Sequence, residues 1–252
     1  MLRIAVRLYG GLVDFLPPAR RGGELERRVP EPTTTKDLLE ALGVPHTEVE
    51  LVLLNGEPVG FGRLVADGDR LAAYPHFYAL DGASVAPLRP LLPPEPRFVL
   101  DAHLGRLAGY LRMLGFDALY ANDGRDDVLA ALAAREGRVL LTRDRGLLKR
   151  AAVVHGFYVR SDQPERQLAE VVDRFELAGA ASPFRRCMRC NGQLEAVGKA
   201  AVEHRLEPKT RRYYEEFARC RACGRVYWPG SHHDRMLRLV ARVLGAGRGA
   251  GL

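Results

Sequence analysis

From Phe98 onward, short apolar runs alternate with amphipathic ones in strict order, and few architectures accept that order. FVLD (98–101), DALYA (117–121), RVLLT (138–142) and GFYVR (156–160) read as strands. HLGRLAGYLRMLG (103–115), DDVLAALAAREG (126–137), DRGLLKRAA (144–152) and QPERQLAEVVDRF (163–175) read as helices between and after them. Leu104, Leu107, Ala108, Leu111 and Leu114 share one helical face, and Gly115 supplies a stop. Such alternation predicts an α/β fold over residues 97–181, with a parallel sheet covered by helices.

The segments on either side follow other rules. LRIAVRLY (2–9) alternates like a half-buried strand, and ELERRV (24–29) is its expected partner. TTTKDLLEALGV (33–44) offers threonine caps and a Gly43 stop for a short helix. VELVLLNGEPVG (49–60) is a strand entering an Asn55-Gly56 turn, and DGDRLAAYP (67–75) closes the unit. Strand, strand, helix, strand, strand predicts an N-terminal β-grasp, ubiquitin-like domain over 1–81. GASVAPLRPLLPPEP (82–96), with five prolines, reads as a semi-rigid linker.

Residues 183–242 hold all four cysteines, as Cys187-Met-Arg-Cys190 and Cys220-Arg-Ala-Cys223 separated by 29 residues. Two CxxC knuckles present four thiolates in the arrangement that structural Zn2+ takes, so a closed zinc ribbon is expected. A pair of disulfides or a redox CxxC is the alternative; a reducing compartment disfavours the first, and redox motifs occur singly. His232 and His233 are not expected as ligands, because four cysteines complete the site.

Charge is concentrated in the same place. Of the formal net charge of +7, residues 1–90 contribute −2, residues 91–184 nothing, residues 185–242 +8 and the last ten residues +1. That distribution points to a local surface for a polyanion, with nucleic acid the obvious one. Arg211 and Arg212 belong, with Arg185, Arg186, Arg189, Lys209, Arg219, Arg221 and Arg225, to the cations within and around the knuckles, interleaved with Tyr213, Tyr214, Phe217, Tyr227 and Trp228. Guanidinium groups take phosphates and aromatic faces stack on unpaired bases, which suits single-stranded RNA. The plainer alternative is that the rings form the ribbon's own small core.

In the alternating segment, Asp101 ends the first strand, Asp126 and Asp127 open the second helix, Asp144 follows RVLLT, and Asp162 follows the last strand. All project from the carboxyl edge of a parallel sheet, where ligands bind. Each alone could be a helix N-cap, worth about 0.5 to 2 kcal/mol. Clustered they repel, by about 3 kcal/mol per pair about 6 Å apart at an effective dielectric of about 20. Three or more therefore want a divalent cation, and hard oxygen ligands favour Mg2+ or Mn2+. A receiver domain would need an acidic pair after the first strand, and a DxD phosphatase a second acid at 103; Ala102 and His103 occupy those positions.

RFVLDAHLGRLAGYLRMLGFDALYANDGRDDVLAALAAREGRVLLTRDRGLLKRA, with CMRC, CRAC and VYWPGSHHDRM, resembles the Mut-seven C-terminal RNase family. That resemblance implies a PIN-like nuclease fold with an appended zinc ribbon. FLPPARRGGE, EALGVPHTEVELVLLNGEPV and DGDRLAAYP are similar to the ubiquitin-like domain that precedes it in many members. It places the catalytic acids at Asp101, Asp126 and Asp144, with Asp127 a substitute and Asp162 a fourth member; Arg143 and Arg145 flank the third acid as candidates to hold the scissile phosphate, a surface ion pair being the alternative for Arg143. Related sulfur carriers act through a free C-terminal Gly-Gly, whereas this chain runs on through HFYALDGASVAP, so a docking role is expected of the β-grasp part.

The expected function is thus a metal-dependent ribonuclease, endonucleolytic, whose zinc ribbon grips RNA. The rival is a non-catalytic RNA- or ribosome-associated binding protein that keeps the acids as caps. No apolar run spans a membrane, and Arg3 and Arg7 interrupt the N-terminal stretch, so the cytoplasm is the expected location. A protein partner for the β-grasp domain and the oligomeric state are left open.

Overall fold

The computed structural model describes residues 1–76, 86–120, 122 and 124–246. Part of the run HFYALDGASVAP and the start of the expected linker lie outside them.

Local signals set most elements. Strands β1 (Leu2–Leu8) and β2 (Leu25–Val29) precede α1 (Thr35–Ala41). Thr34 and Asp37 cap α1 reciprocally, each side chain taking the other residue's backbone N–H. Next come β3 (Leu51–Leu54), β4 (Glu57–Pro58) and β5 (Arg70–Tyr74). Asn55 and Gly56 both have positive φ, 53° and 90°, as the tight turn from β3 to β4 requires.

The alternating region follows in the expected order. It runs β6 (Phe98–Leu100), α2 (Gly105–Met113), β7 (Ala118–Tyr120), α3 (Asp126–Glu136) and β8 (Val139–Thr142). It ends in α4 (Arg145–Leu148), β9 (Gly156–Tyr158) and α5 (Pro164–Arg174). The helix expected over 144–152 is cut to four residues, because Leu147, Leu148 and Val153 are all buried and the chain must turn back to bring Val153 in. Last come β10 (Leu194–Val197), α6 (Pro208–Tyr213), β11 (Phe217–Cys220), β12 (Val226–Tyr227) and α7 (Ser231–Ala246). Helix α7 is an addition to the sequence reading. Its Leu239, Val240 and Val243 recur at helical spacing and are buried.

The chain forms two compact bodies. The first comprises Met1–Leu92 and Arg125–Tyr158. Its five-stranded sheet has the order β2-β1-β5-β3-β4, with β1 parallel to β5 and the other neighbours antiparallel, closing on a core of Ile4, Val6, Leu38, Leu39 and Val52. Strands β8 and β9 pair in parallel within this body. They are tied to the β-grasp part by specific contacts. Arg145 Nη1 donates to the Phe15 carbonyl at 3.1 Å, and Lys149 Nζ to that of Glu40 at 2.7 Å. The Tyr158 amide donates to Glu48 Oε1 at 2.6 Å, and buried His46 sets Nε2 2.9 Å from the Val153 carbonyl and Nδ1 2.7 Å from Glu40 Oε1. Arg89, in the proline-rich stretch, donates to the carbonyls of Thr47 and Val49, in the segment that leads into β3.

The second body comprises Pro93–Gly124 and Val159–Leu252. Here β6 and β7 pair in parallel, and the foreseen face of Leu104, Leu107, Ala108, Leu111 and Leu114 is fully buried. Phe98 meets Phe116 and Phe175 edge to face. Strands β10, β11 and β12 make a separate antiparallel sheet. Gly105 allows a close approach within the chain: a Cβ there would lie 2.9 Å from the Tyr120 ring. Among the described residues no helix is long and apolar enough to cross a membrane.

Candidate functional site

Two knuckles bring the cysteines together. In the first, the Cys187 amide donates to the Gly192 carbonyl and Asn191 takes φ of 69°, reversing the chain. In the second, the Cys220 amide donates to the Arg225 carbonyl and Gly224 takes φ of 70°. The pairing of Leu194 with Cys220 sets the knuckles side by side. All four Sγ atoms lie within 4.8 Å of one another, with Cys187 and Cys223 3.7 Å apart and Cys190 and Cys220 3.4 Å apart. Disulfide sulfurs are about 2.05 Å apart, so the cysteines are unpaired. A tetrahedron with metal–sulfur bonds of about 2.3 Å has edges of about 3.8 Å, so the cluster could hold a metal. Gly192 is required by space, since a Cβ there would lie 2.9 Å from Cys220 Sγ.

The thiols do not ionise alike. Burial alone would raise Cys187, but the Tyr227 hydroxyl, 3.0 Å from Sγ, and the amides of Cys190 and Arg189 stabilise its thiolate and hold it at about 6. For Cys190 the Gly192 amide works in the same direction, yet burial and the neighbouring sulfurs push it up to about 12. Tyr227 is raised in turn, by burial first and then by Cys187. Four thiolates this close need a cation to share the charge.

Residues outside the CxxC pattern anchor the knuckle in the second body. The buried Arg112 guanidinium donates to the carbonyls of Ala118, Met188 and Arg189, and burial pulls it below the ordinary arginine value. Asn191 donates to Asp117 Oδ1 at 2.8 Å and accepts the Ala118 amide. Sequence reading missed these partners. The one signal available for Arg112 is its place four residues after Ala108, beside the apolar face of α2.

The acids divide between the bodies. In the second, Asp101 stands immediately after β6, is 7% exposed, and its Oδ1 accepts the His103 amide at 2.9 Å. Asp162 is exposed, two residues ahead of α5. In the first, Asp144 stands two residues past β8 and caps α4, its Oδ1 accepting the amides of Gly146 at 2.6 Å and Leu147 at 3.4 Å. Thr142 Oγ1 accepts the Asp144 amide and helps to fix that turn. Asp126 and Asp127 are the first residues of α3. Arg125 grips Asp127 with two hydrogen bonds and lowers its pKa, while Asp126 lies 3.6 Å from Arg150 Nη2. Arg143 is half-buried. The Arg145 guanidinium lies over the rings of Phe15 and Tyr158, at 4.9 and 5.4 Å, which gives it a packing role in the first body. On α6, exposed Arg211 is 3.8 Å from Glu203, and exposed Arg212 lies over the Tyr213 ring.

A family model described as the Mut7-C RNAse domain matches residues 96–240. The chain belongs to the Mut7-C RNAse domain family. All the acids and cysteines above lie inside that match, and a second model, Mut7-C ubiquitin, covers residues 1–81. Among solved structures, the Mut7-C chain is similar to a crystal structure of H. volcanii small archaeal modifier protein 1, at 24% identity and a TM-score of 0.25 over 30% of this chain and 98% of that one. A crystal structure of SAMP1 from Haloferax volcanii is similar at 24% identity and a TM-score of 0.25, over 31% and 98%. No curated protein matches the chain.

Proposed function

We propose that this protein is a metal-dependent ribonuclease that cuts within RNA strands, built on a PIN-like domain at 97–181 with a zinc ribbon at 183–242 and the ubiquitin-like domain at 1–81. The observation that carries the reading is the placement of Asp101 and Asp144, in a chain of the Mut7-C RNAse domain family, just past the carboxyl ends of strands β6 and β8. Carboxylate oxygens suit a hard cation, so Asp101, Asp126 and Asp144 are the residues to hold Mg2+ or Mn2+, with Asp127 a substitute and Asp162 a fourth member. When bound, such an ion lowers the pKa of water and offsets charge on the phosphate. Asp144, fixed by two backbone amides, presents its carboxylate without further ordering, and Arg143 is the cation to meet the scissile phosphate. The cysteine cluster fits structural zinc by its donors and its spacing, and Arg211 and Arg212 supply phosphate contacts.

One observation favours the rival, a non-catalytic RNA-binding protein: Asp101 and Asp144 both serve as caps. The two readings part on Asp101→Asn and Asp144→Asn, since asparagine caps as well as aspartate but is a poor ligand for a hard cation. The expected result, on a mixed-sequence single-stranded RNA with Mn2+, is cleavage by the wild type and none by either variant, with RNA binding retained. Cleavage persisting in both variants overturns the acidic site, and none by the zinc-loaded wild type favours the rival.

A further inference from the structure

In the second body a hollow of about 550 Å³ opens beside the β10–β12 sheet, bordered by Phe184, Phe217, Tyr227, Trp228, His233 and Met236. A second hollow, of about 760 Å³, shares Tyr227, Trp228, His233 and Met236 with the first and adds Arg189, Lys209, Arg225 and His232. The first is lined mainly by aromatic and apolar side chains, with Arg186, Glu215 and Glu216 also on it; the second carries most of the cations, with Tyr213 and Tyr214 among them, and Trp228 borders both. The rings are not simply a folded core: Trp228 is 39% exposed. Phe184 reaches the hollow from a left-handed backbone, φ 62°, a conformation a bulky side chain rarely adopts, with its ring 4.6 Å from that of His233.

A nucleotide has the complementary halves, a flat apolar base and an anionic phosphate. A duplex does not fit, because its base faces are already stacked. A basic surface alone would not keep aromatic rings open to solvent. We propose that the two hollows form a nucleotide subsite for single-stranded RNA, in which an unpaired base enters the aromatic hollow against Trp228 and the adjoining phosphate lies against Arg189, Lys209 and Arg225. The proposal rests on the ribonuclease reading for its choice of RNA, and it adds to that reading where the strand is held.

Trp228 is the single tryptophan of the chain, so its fluorescence reports on this place alone. The full-length, zinc-loaded protein is titrated, without Mg2+ or Mn2+ so that the strand stays whole, with a ten-residue oligoadenylate. The same strand in duplex, inorganic polyphosphate and polyglutamate are titrated alongside. The expected result is saturable quenching by the single strand only. In anisotropy with a labelled strand, Trp228→Ala should weaken binding roughly 5- to 150-fold, the range of one lost base stack, and Lys209→Ala should weaken it less and reduce its salt dependence. Ala218→Phe, which fills the aromatic hollow from β11, should match Trp228→Ala while keeping its zinc. Equal quenching by polyphosphate overturns the base pocket in favour of a plain basic patch. Equal quenching by polyglutamate overturns it in favour of an acidic protein partner. Unchanged RNA affinity in zinc-loaded Trp228→Ala and Ala218→Phe overturns it outright. A protein that stacks the strand but never cuts it loses the ribonuclease reading and keeps the subsite; one that cuts while Trp228→Ala binds normally does the reverse.

Discussion

The Oδ1 atom of Asp144 accepts the amides of Gly146 and Leu147, so its carboxylate holds α4 in place whatever else it does. Asp144→Ala should therefore cost about 0.5 to 2 kcal/mol of stability, whereas Asp144→Asn should stay close to wild type; denaturant melts of the two measure the capping share. His46 offers a pH test. Its imidazole is held below the ordinary 6.5, first by burial and also by Lys36, against the opposing pull of Glu40 and the Val153 carbonyl. The folded chain thus resists a proton that the unfolded chain accepts. Stability from this group is complete above pH 6.5 and is lost as pH falls through the lower folded value, at no more than about 1.4 kcal/mol per pH unit. Melting temperatures from pH 7.5 to 5 should fall more steeply for wild type than for His46→Gln, and parallel curves would remove His46 from the account.

The β10–β12 sheet is an element with little core of its own. Its buried cluster consists of Val202, Leu206 and Phe217, and the cysteine cluster must supply the rest of its cohesion. Metal binding by such modules contributes on the order of 10 to 16 kcal/mol, far beyond what those three side chains return. The expected outcome of Cys220→Ser is loss of about one zinc per chain and unfolding confined to this element and the knuckles. Hydrogen exchange should show rapid exchange at Leu194–Val197 and Phe217–Cys220 while β1–β5 stay protected. Protection retained in a zinc-free variant would mean that the sheet stands on side-chain packing alone.

Across the whole molecule, the excess positive charge lies in one stretch, 185–242, at +8. RNA affinity should fall steeply with salt, because each phosphate contact to a single strand contributes about −0.7 to the slope of log K against log salt. Removing Arg211 and Arg212 together should flatten that slope by about 1.4, read from titrations at several salt concentrations, and an unchanged slope would place both side chains off the RNA path. Much of the architecture was legible from the chain alone because its causes are local. The Thr34–Asp37 cap, the Asn55-Gly56 turn, the buried face of α2 and the two CxxC knuckles each act over a few residues. What stayed illegible depends on partners far along the chain. Arg145, beside an acid in sequence, is drawn to the Phe15 carbonyl 130 residues away. Arg112 is buried because the carbonyls of Met188 and Arg189 come to meet it. The order of strands and helices over 98–175, the spacing of the four cysteines and the seat of the charge could all be read from the chain, since spacing and composition act locally. Which polar groups serve packing and which line a hollow emerged with the folded contacts, because desolvation and hydrogen-bond geometry exist once distant segments meet.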